Sequence, residues 1–190
     1  MTNTMIETGL ENHFLIAMPQ LKGSLFGDTV SVVCQHSEEG TIALVINKTL
    51  PQTMAEVFEQ MDLPADSLKN PDEAILFGGP VQPEAGFVLH AERGKWLSTL
   101  KISDQLYLTS SKDILEAISR NEGPVDYRFI LGYAGWSSGQ LEAELEENSW
   151  LHSPIEADIV FNTPPEQISD LVIKKLGIDP HRIATQIGHA

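Results

Sequence analysis

The sequence predicts an α+β fold, with a mixed and strongly bent sheet accompanied by about four helices, and three observations predict it. About eight short runs rich in Val, Ile, Leu, Phe and Thr are bounded by Gly, Pro and Asn. Several neighbouring runs are joined by loops too short for a helical crossover, which excludes a doubly wound parallel sheet. Helical patterns occur singly, each with its own start and stop signals, rather than between every pair of strands. At 190 residues one domain spanning 1–190 is expected, large enough to bury roughly 70% of the surface the unfolded chain exposes.

The elements follow in order. His13 to Met18 reads as a buried strand ended by Pro19, which has no N–H for a ladder. Val30 to His36 and Thr41 to Asn47 form an antiparallel pair about a four-residue loop, Ser37 to Gly40. Thr53 and Glu56 make a capping box, and Met54, Val57, Phe58 and Met61 share one helical face that Pro64 closes. Ala74 to Phe77 is a strand running into Gly78, Gly79 and Pro80, and Phe87 to His90 is another. Leu100 to Ile102 and Gln105 to Thr109 are strand material. Ser110 with Asp113 opens a helix that Asn121, Gly123 and Pro124 stop. Ile155 to Phe161 alternates as a half-exposed strand. A last helix starts at a Thr163–Glu166 capping box, with Pro164 at its first position, and stops at Gly177.

Charge narrows the function. Acidic residues number 27 against 12 basic, a formal net charge of −15, so the surface repels polyanions. The densest basic groups are Arg93 with Lys95 and Lys174 with Lys175, too few to form the stripe that displaces counterions from phosphates. Direct nucleic-acid binding is not expected. Cys34 is the single cysteine, so no intrachain disulfide forms and a reducing compartment fits. The longest early apolar run, Phe14 to Met18, is too short for a membrane span. A cytoplasmic protein with no membrane partner is expected.

The densest chemistry lies between Asp126 and Leu151, where an aromatic strand, a glycine loop and an acidic helix follow one another. Gly135-Trp136-Ser137-Ser138-Gly139 matches the Gly-x-Ser-x-Gly nucleophile elbow, and Asp158 and His181 would complete a triad in hydrolase order. The preceding chain lacks the βαβ units of that fold, so Ser137 reads rather as a helix cap in a Ser-x-x-Gln box with Gln140. A phosphate cradle at the helix N-terminus is a further reading, but neither phosphate-loop glycine pattern is present and the loop holds no cation. Glu142, Glu144, Glu146 and Glu147 are a solvated face or a surface for a basic partner. Glu146 and Glu147 sit near the helix C-terminus, where negative charge opposes the macrodipole. Trp136 and Trp150 bracket this helix as core anchors or exposed binding aromatics.

Other clusters read as structural. Cys34 and His36 alternate onto the face of Val30 and Val32, where apolar neighbours keep a thiol protonated. The remaining histidines show no ligand spacing, and the zinc deaminase pattern lacks its cysteine half, so no metal or other cofactor is expected.

HFLIAMPQL at 13–21, VSVVCQHSEEGTIALVINK at 30–48, LFGGPV at 76–81, GFVLH at 86–90, LGYAGWSSGQLEAEL at 131–145 and NSWL at 148–151 together resemble the AlgH/YqgE family of small bacterial proteins over nearly the whole chain. The resemblance implies an α+β domain whose bifurcated sheet forms a pseudo-barrel, with no established biochemical activity. Some members carry the label of transcriptional regulator. No helix-turn-helix pattern occurs here, so regulation is expected to be indirect, through a protein with a basic surface or a small ligand. The expected protein is a non-enzymatic interaction module. Its binding surface is placed at Gly132, Tyr133, Gly135, Trp136, Gly139, Gln140, Glu142 and Glu146, flanked by Gly78, Gly79 and Pro80.

Overall fold

A computed structural model describes residues 9–179. Ten strands and five helices occur among them, against about eight and four expected. Strand β1 (His13–Ala17) ends before a 3-10 turn at Pro19–Leu21. β2 (Val30–Ser37) and β3 (Gly40–Val45) pair antiparallel, but Ser37 pairs with Gly40. The connection is therefore the two-residue turn Glu38-Glu39 and not a four-residue loop. A register shift between Val33 and Gln35 marks a bulge at Cys34. That extra residue inverts the alternation: Cys34 joins Val30 and Val32 in one core cluster, while His36 pairs with Thr41, two residues from Ala43 on the opposite face. Cys34 and His36 do not share a face.

β4 (Thr49–Thr53), masked in the sequence by Pro51, pairs only with β5 (Ala74–Phe77), an edge position where proline is tolerated. Between them α1 (Met54–Gln60) starts at the expected Thr53–Glu56 capping box. β6 (Val81–His90) is longer than the run 87–90 because its proline-bearing start is absorbed by a register shift between Val81 and Gly86. β7 (Thr99–Ser103) and β8 (Leu106–Thr109) form a hairpin. Helix α2 (Lys112–Ser119) has Ser111 at its N-cap, not Ser110. The Ser111 hydroxyl donates to Asp113 Oδ1, so it leaves the helix N–H groups alone.

β9 (Tyr127–Ser137) is the hub of the sheet. It runs parallel to β5, antiparallel to β6 through its first half, and antiparallel to β3 through its last four residues. The main path runs β10-β1-β2-β3-β9-β6-β8-β7, with β10 (Trp150–Pro154) at one end. At the fork the backbones touch. A Cβ on Gly78 would lie 2.2 Å from Gly132 O, and one on Gly132, whose φ is +75°, would lie 2.4 Å from Gly79 O. The result is the bent α+β sheet the sequence predicts, forked as the resemblance implies.

Three further helices complete the fold: α3 (Gln140–Glu146), α4 (Ala157–Asn162) and α5 (Pro165–Lys175). The expected strand 155–161 is largely α4. Ile159 and Val160 are both buried, an adjacent pair that a half-exposed strand would split between faces. Arg128 satisfies the helix end, donating Nε to Val160 O at 2.9 Å and Nη2 to Thr163 O at 2.7 Å. Thr163 makes no side-chain cap on α5, whose N-cap is Pro164. Gly177, at φ +71°, does follow the helix as its stop. The core has three parts: the curve of the sheet under α4 and α5, a layer between the sheet and α1 and α2, and a cluster around Leu15, Ala134 and Leu141 under α3.

Candidate functional site

The last turn of β9 feeds α3 through Gly139, which takes the left-handed conformation at φ +74° with nothing near its missing Cβ. Leu141 is fully buried and fixes which helix face meets the sheet. Trp136 on β9 and Trp150 on β10 are both buried, with rings edge to face at 5.6 Å and Phe26 against both. Indole N–H groups can only donate. Both Nε1 atoms donate to the same acceptor, Glu144 Oε2, each at 2.8 Å. Gln140 Nε2 donates to Glu144 Oε1 at 3.1 Å, and Gln140 Oε1 accepts from the Ser137 backbone N–H at 3.0 Å. This network locks the turn, the helix and two strands into one unit.

The helix ends as it must for that geometry. Asn148, at φ +58°, donates its N–H to Leu145 O, and Ser149 donates to Glu144 O, a Schellman motif built on asparagine. Gln20 Nε2 then donates to Ser149 Oγ at 2.8 Å and Glu147 O at 3.1 Å. On the adjoining face His36 Nδ1 lies 2.7 Å from Thr41 Oγ1, and His36 Nε2 lies 3.2 Å from Glu142 Oε1. A carboxylate only accepts, so Nε2 carries the proton in that contact. Thr41 is buried, its hydroxyl held against the His36 imidazole.

An open groove of about 620 Å³ lies between the β2–β3 hairpin tip and β9, with Glu11, Gln35, Glu39, Ile42, Tyr133 and Gly135 among its walls. Tyr133 packs edge-on to Phe87 at 5.9 Å. Glu11 Oε1 accepts from the His36 N–H at 3.2 Å. The carboxylates of Glu39, Glu146 and Glu147, all exposed, have no partner among the described residues.

The expected site residues divide. Gly135, Gly139, Gln140 and Glu146 are exposed, Tyr133 and Glu142 are half-buried, and Pro80 is exposed. Gly78, Gly79 and Gly132 are buried, so their close approach is to one another and not to a partner. Trp136 is buried as an anchor. Ser137 Oγ donates to Gln140 Oε1 at 3.3 Å. Ser137 is not the cap, since Gly139 holds that position. Asp158 Oδ1, on α4, accepts from Asn162 at 2.6 Å, and His181 lies outside the described residues. Burial pushes the Cys34 thiol up to about 12, leaving it protonated. No group of three or more His, Cys, Asp or Glu among the described residues could hold a metal, and no helix among them is long and apolar enough to cross a membrane. Sequence reasoning missed Glu144 as the shared acceptor and Arg128 as the cap of α4. Two tryptophans bracketing a glutamate-rich helix were the available signal, because buried indoles require acceptors.

The family model described as AlgH-like (DUF179) matches residues 14–181. A UPF0301 protein of Chromobacterium violaceum is 45% identical over 186 residues, covering 98% of this chain and all of that protein. The solution structure of the AlgH protein from Pseudomonas aeruginosa superposes with a TM-score of 0.80 at 40% identity, covering 100% of both chains. A crystal structure of a Corynebacterium diphtheriae protein shares the fold at a TM-score of 0.71 and 18% identity, over 93% of this chain and 90% of that one.

Proposed function

This chain belongs to the AlgH-like family, and from that premise we propose that it is a non-enzymatic cytoplasmic interaction module that binds a basic protein partner. Any regulation it exerts is indirect, through that partner and not through DNA. The contact surface runs from the groove walled by Glu39 and Gly135 across the exposed turn 137–140 to Glu146. The observation that carries this reading is the groove of about 620 Å³, walled by the partnerless Glu39 carboxylate and by Glu11 and backed by the Trp136–Glu144–Trp150 lock. A pre-organised surface spends little entropy on docking, and its charge steers a cationic partner. The same features disfavour an anion at the start of α3, where Glu142 occupies the first turn and Gln140 already takes the Ser137 N–H.

The test is crosslinking and mass spectrometry in cells carrying the wild type or Glu39→Lys/Glu146→Lys. Crosslinks from Lys-rich segments of a partner to the 135–147 region should fall at least about tenfold, the size of one lost charge-assisted contact. An unchanged crosslink set would sink the proposal. A turnover lost in Ser137→Ala would move the search to hydrolysis.

A further inference from the structure

The loop between β6 and β7 gathers Arg93 and Lys95, and Lys101 on β7 faces the same groove of about 490 Å³ with Trp96, Thr99 and Tyr107. In a chain with 12 basic residues and a net charge of −15, three cations in one groove oppose the surrounding field. Lys101 is paired with Asp104 at 2.6 Å, but the head groups of Arg93 and Lys95 have no hydrogen bond or ion pair among the described residues. Two unpaired cations, Arg93 and Lys95, beside a third whose one partner is the exposed Asp104, mark a place where an anion finds a complementary charge.

The loop is built to hold them there. Leu97 N–H donates to Asp113 Oδ2 at 2.9 Å and Ser98 N–H to Ser111 Oγ at 3.1 Å, so the start of α2 pins the loop. Gly94 sits under the Trp96 ring, where a Cβ would fall 1.9 Å from a ring carbon. Trp96 meets His90 edge-on at 5.0 Å and Tyr107 stacks on the other part of that imidazole at 5.9 Å, which sets two aromatic rings beside the cations.

We infer that this groove binds a small phosphate ester of nucleotide size, its phosphates on Arg93, Lys95 and Lys101 and its planar part against Trp96. Arg meets phosphate with paired N–H donors and Lys as a point charge, the volume suits a ligand of that size, and aromatic faces accept a base. Three cations in one pocket suit a compact polyanion and not a strand tracked along a basic stripe. The site lies beyond β6 and β8 in the sheet, away from the acidic groove, and is independent of it.

Calorimetric titration with ATP, pyrophosphate and adenosine, paired with the NMR indole signal of Trp96, tests this on the full chain. ATP should bind more tightly than pyrophosphate and shift the Trp96 signal, and adenosine alone should fail. Arg93→Ala/Lys95→Ala should weaken ATP at least about tenfold, whereas Lys22→Ala/Lys174→Ala, with the same charge change elsewhere, should bind as wild type. Both pairs are exposed, so matched melting curves verify folding, and Arg93→Gln alone serves if the double variant fails that check. Equal weakening in both double variants, no ATP binding, or a single-stranded oligonucleotide that displaces ATP at equal phosphate concentration would each overturn the inference.

Discussion

Glu144 and His90 are polar hubs of opposite kind placed under the two grooves. Glu144 is a carboxylate fed by three side-chain donors, two of them indoles. His90 is fully buried and uncharged chemistry suffices for it: Nδ1 faces the Glu92 carbonyl, so it carries the proton, and Nε2 receives the Thr109 hydroxyl at 2.7 Å. Burial lowers the His90 pKa, against the smaller upward pull of the Glu92 carbonyl and charge. Both hubs organise tryptophan, yet one lies beneath an acidic surface and the other beneath a basic one. The lesson is that a hub's own charge does not set the sign of its groove. The exposed residues of the adjoining turns do that, and the hub fixes where they stand.

The largest effect should come from removing the charged hub. Glu144→Leu leaves two buried indole donors without an acceptor, and urea unfolding should show a loss of about 2 to 5 kcal/mol. Glu144→Gln keeps an acceptor oxygen and should recover most of that, leaving a deficit of about 1 kcal/mol. If the two variants were equally destabilised, charge and not donor satisfaction would define the hub. His90→Leu should cost less, about 1 to 3 kcal/mol by the same measurement, since it leaves the Glu92 carbonyl without its donor while Thr109 keeps its bond to the Thr99 hydroxyl.

The neutral hub has a pH signature. Its folded pKa lies below the ordinary 6.5, so the unfolded chain takes up a proton that the folded one refuses. The stability His90 contributes is fully present above 6.5 and is lost as pH falls from there through the lowered folded value, at up to about 1.4 kcal/mol per pH unit. Unfolding midpoints between pH 7 and 5 should therefore fall less steeply in His90→Leu than in wild type. The smallest effect is of opposite sign. Glu146→Lys removes a negative charge from the C-terminal turn of α3 and should raise stability by about 0.3 to 1 kcal/mol, in the melting curve, while weakening partner binding. A variant that lost both stability and binding would make Glu146 structural.

Residues acting within their own element were legible. The Thr53–Glu56 box, the Pro19 stop and the β2–β3 pair follow from local chemistry. The failures share a cause: a distant group overrode a local pattern. Alternation at 155–161 predicted a strand because nothing nearby signalled that the Arg128 guanidinium would take the carbonyls at its end. Cys34 and His36 were assigned one face because a bulge leaves no mark in composition. At the candidate site the turn and its acidic helix are readable, but the sequence places Gly78, Gly79 and Gly132 on a partner surface, whereas all three are buried. A glycine needed for close approach looks the same whether the approaching backbone belongs to the chain or to another molecule.

β9 alone joins β3 to β6 in the main sheet path. During synthesis, everything before residue 127 yields three separate β units, β1-β2-β3, β4-β5 and β6-β8-β7, each with an edge that waits for β9. Open edges recruit other strands, and pairing over such sequence distance is slow. The chain is thus most exposed to misassociation in the interval before its eleven-residue central strand leaves the ribosome, and that strand's emergence is the event that ends it.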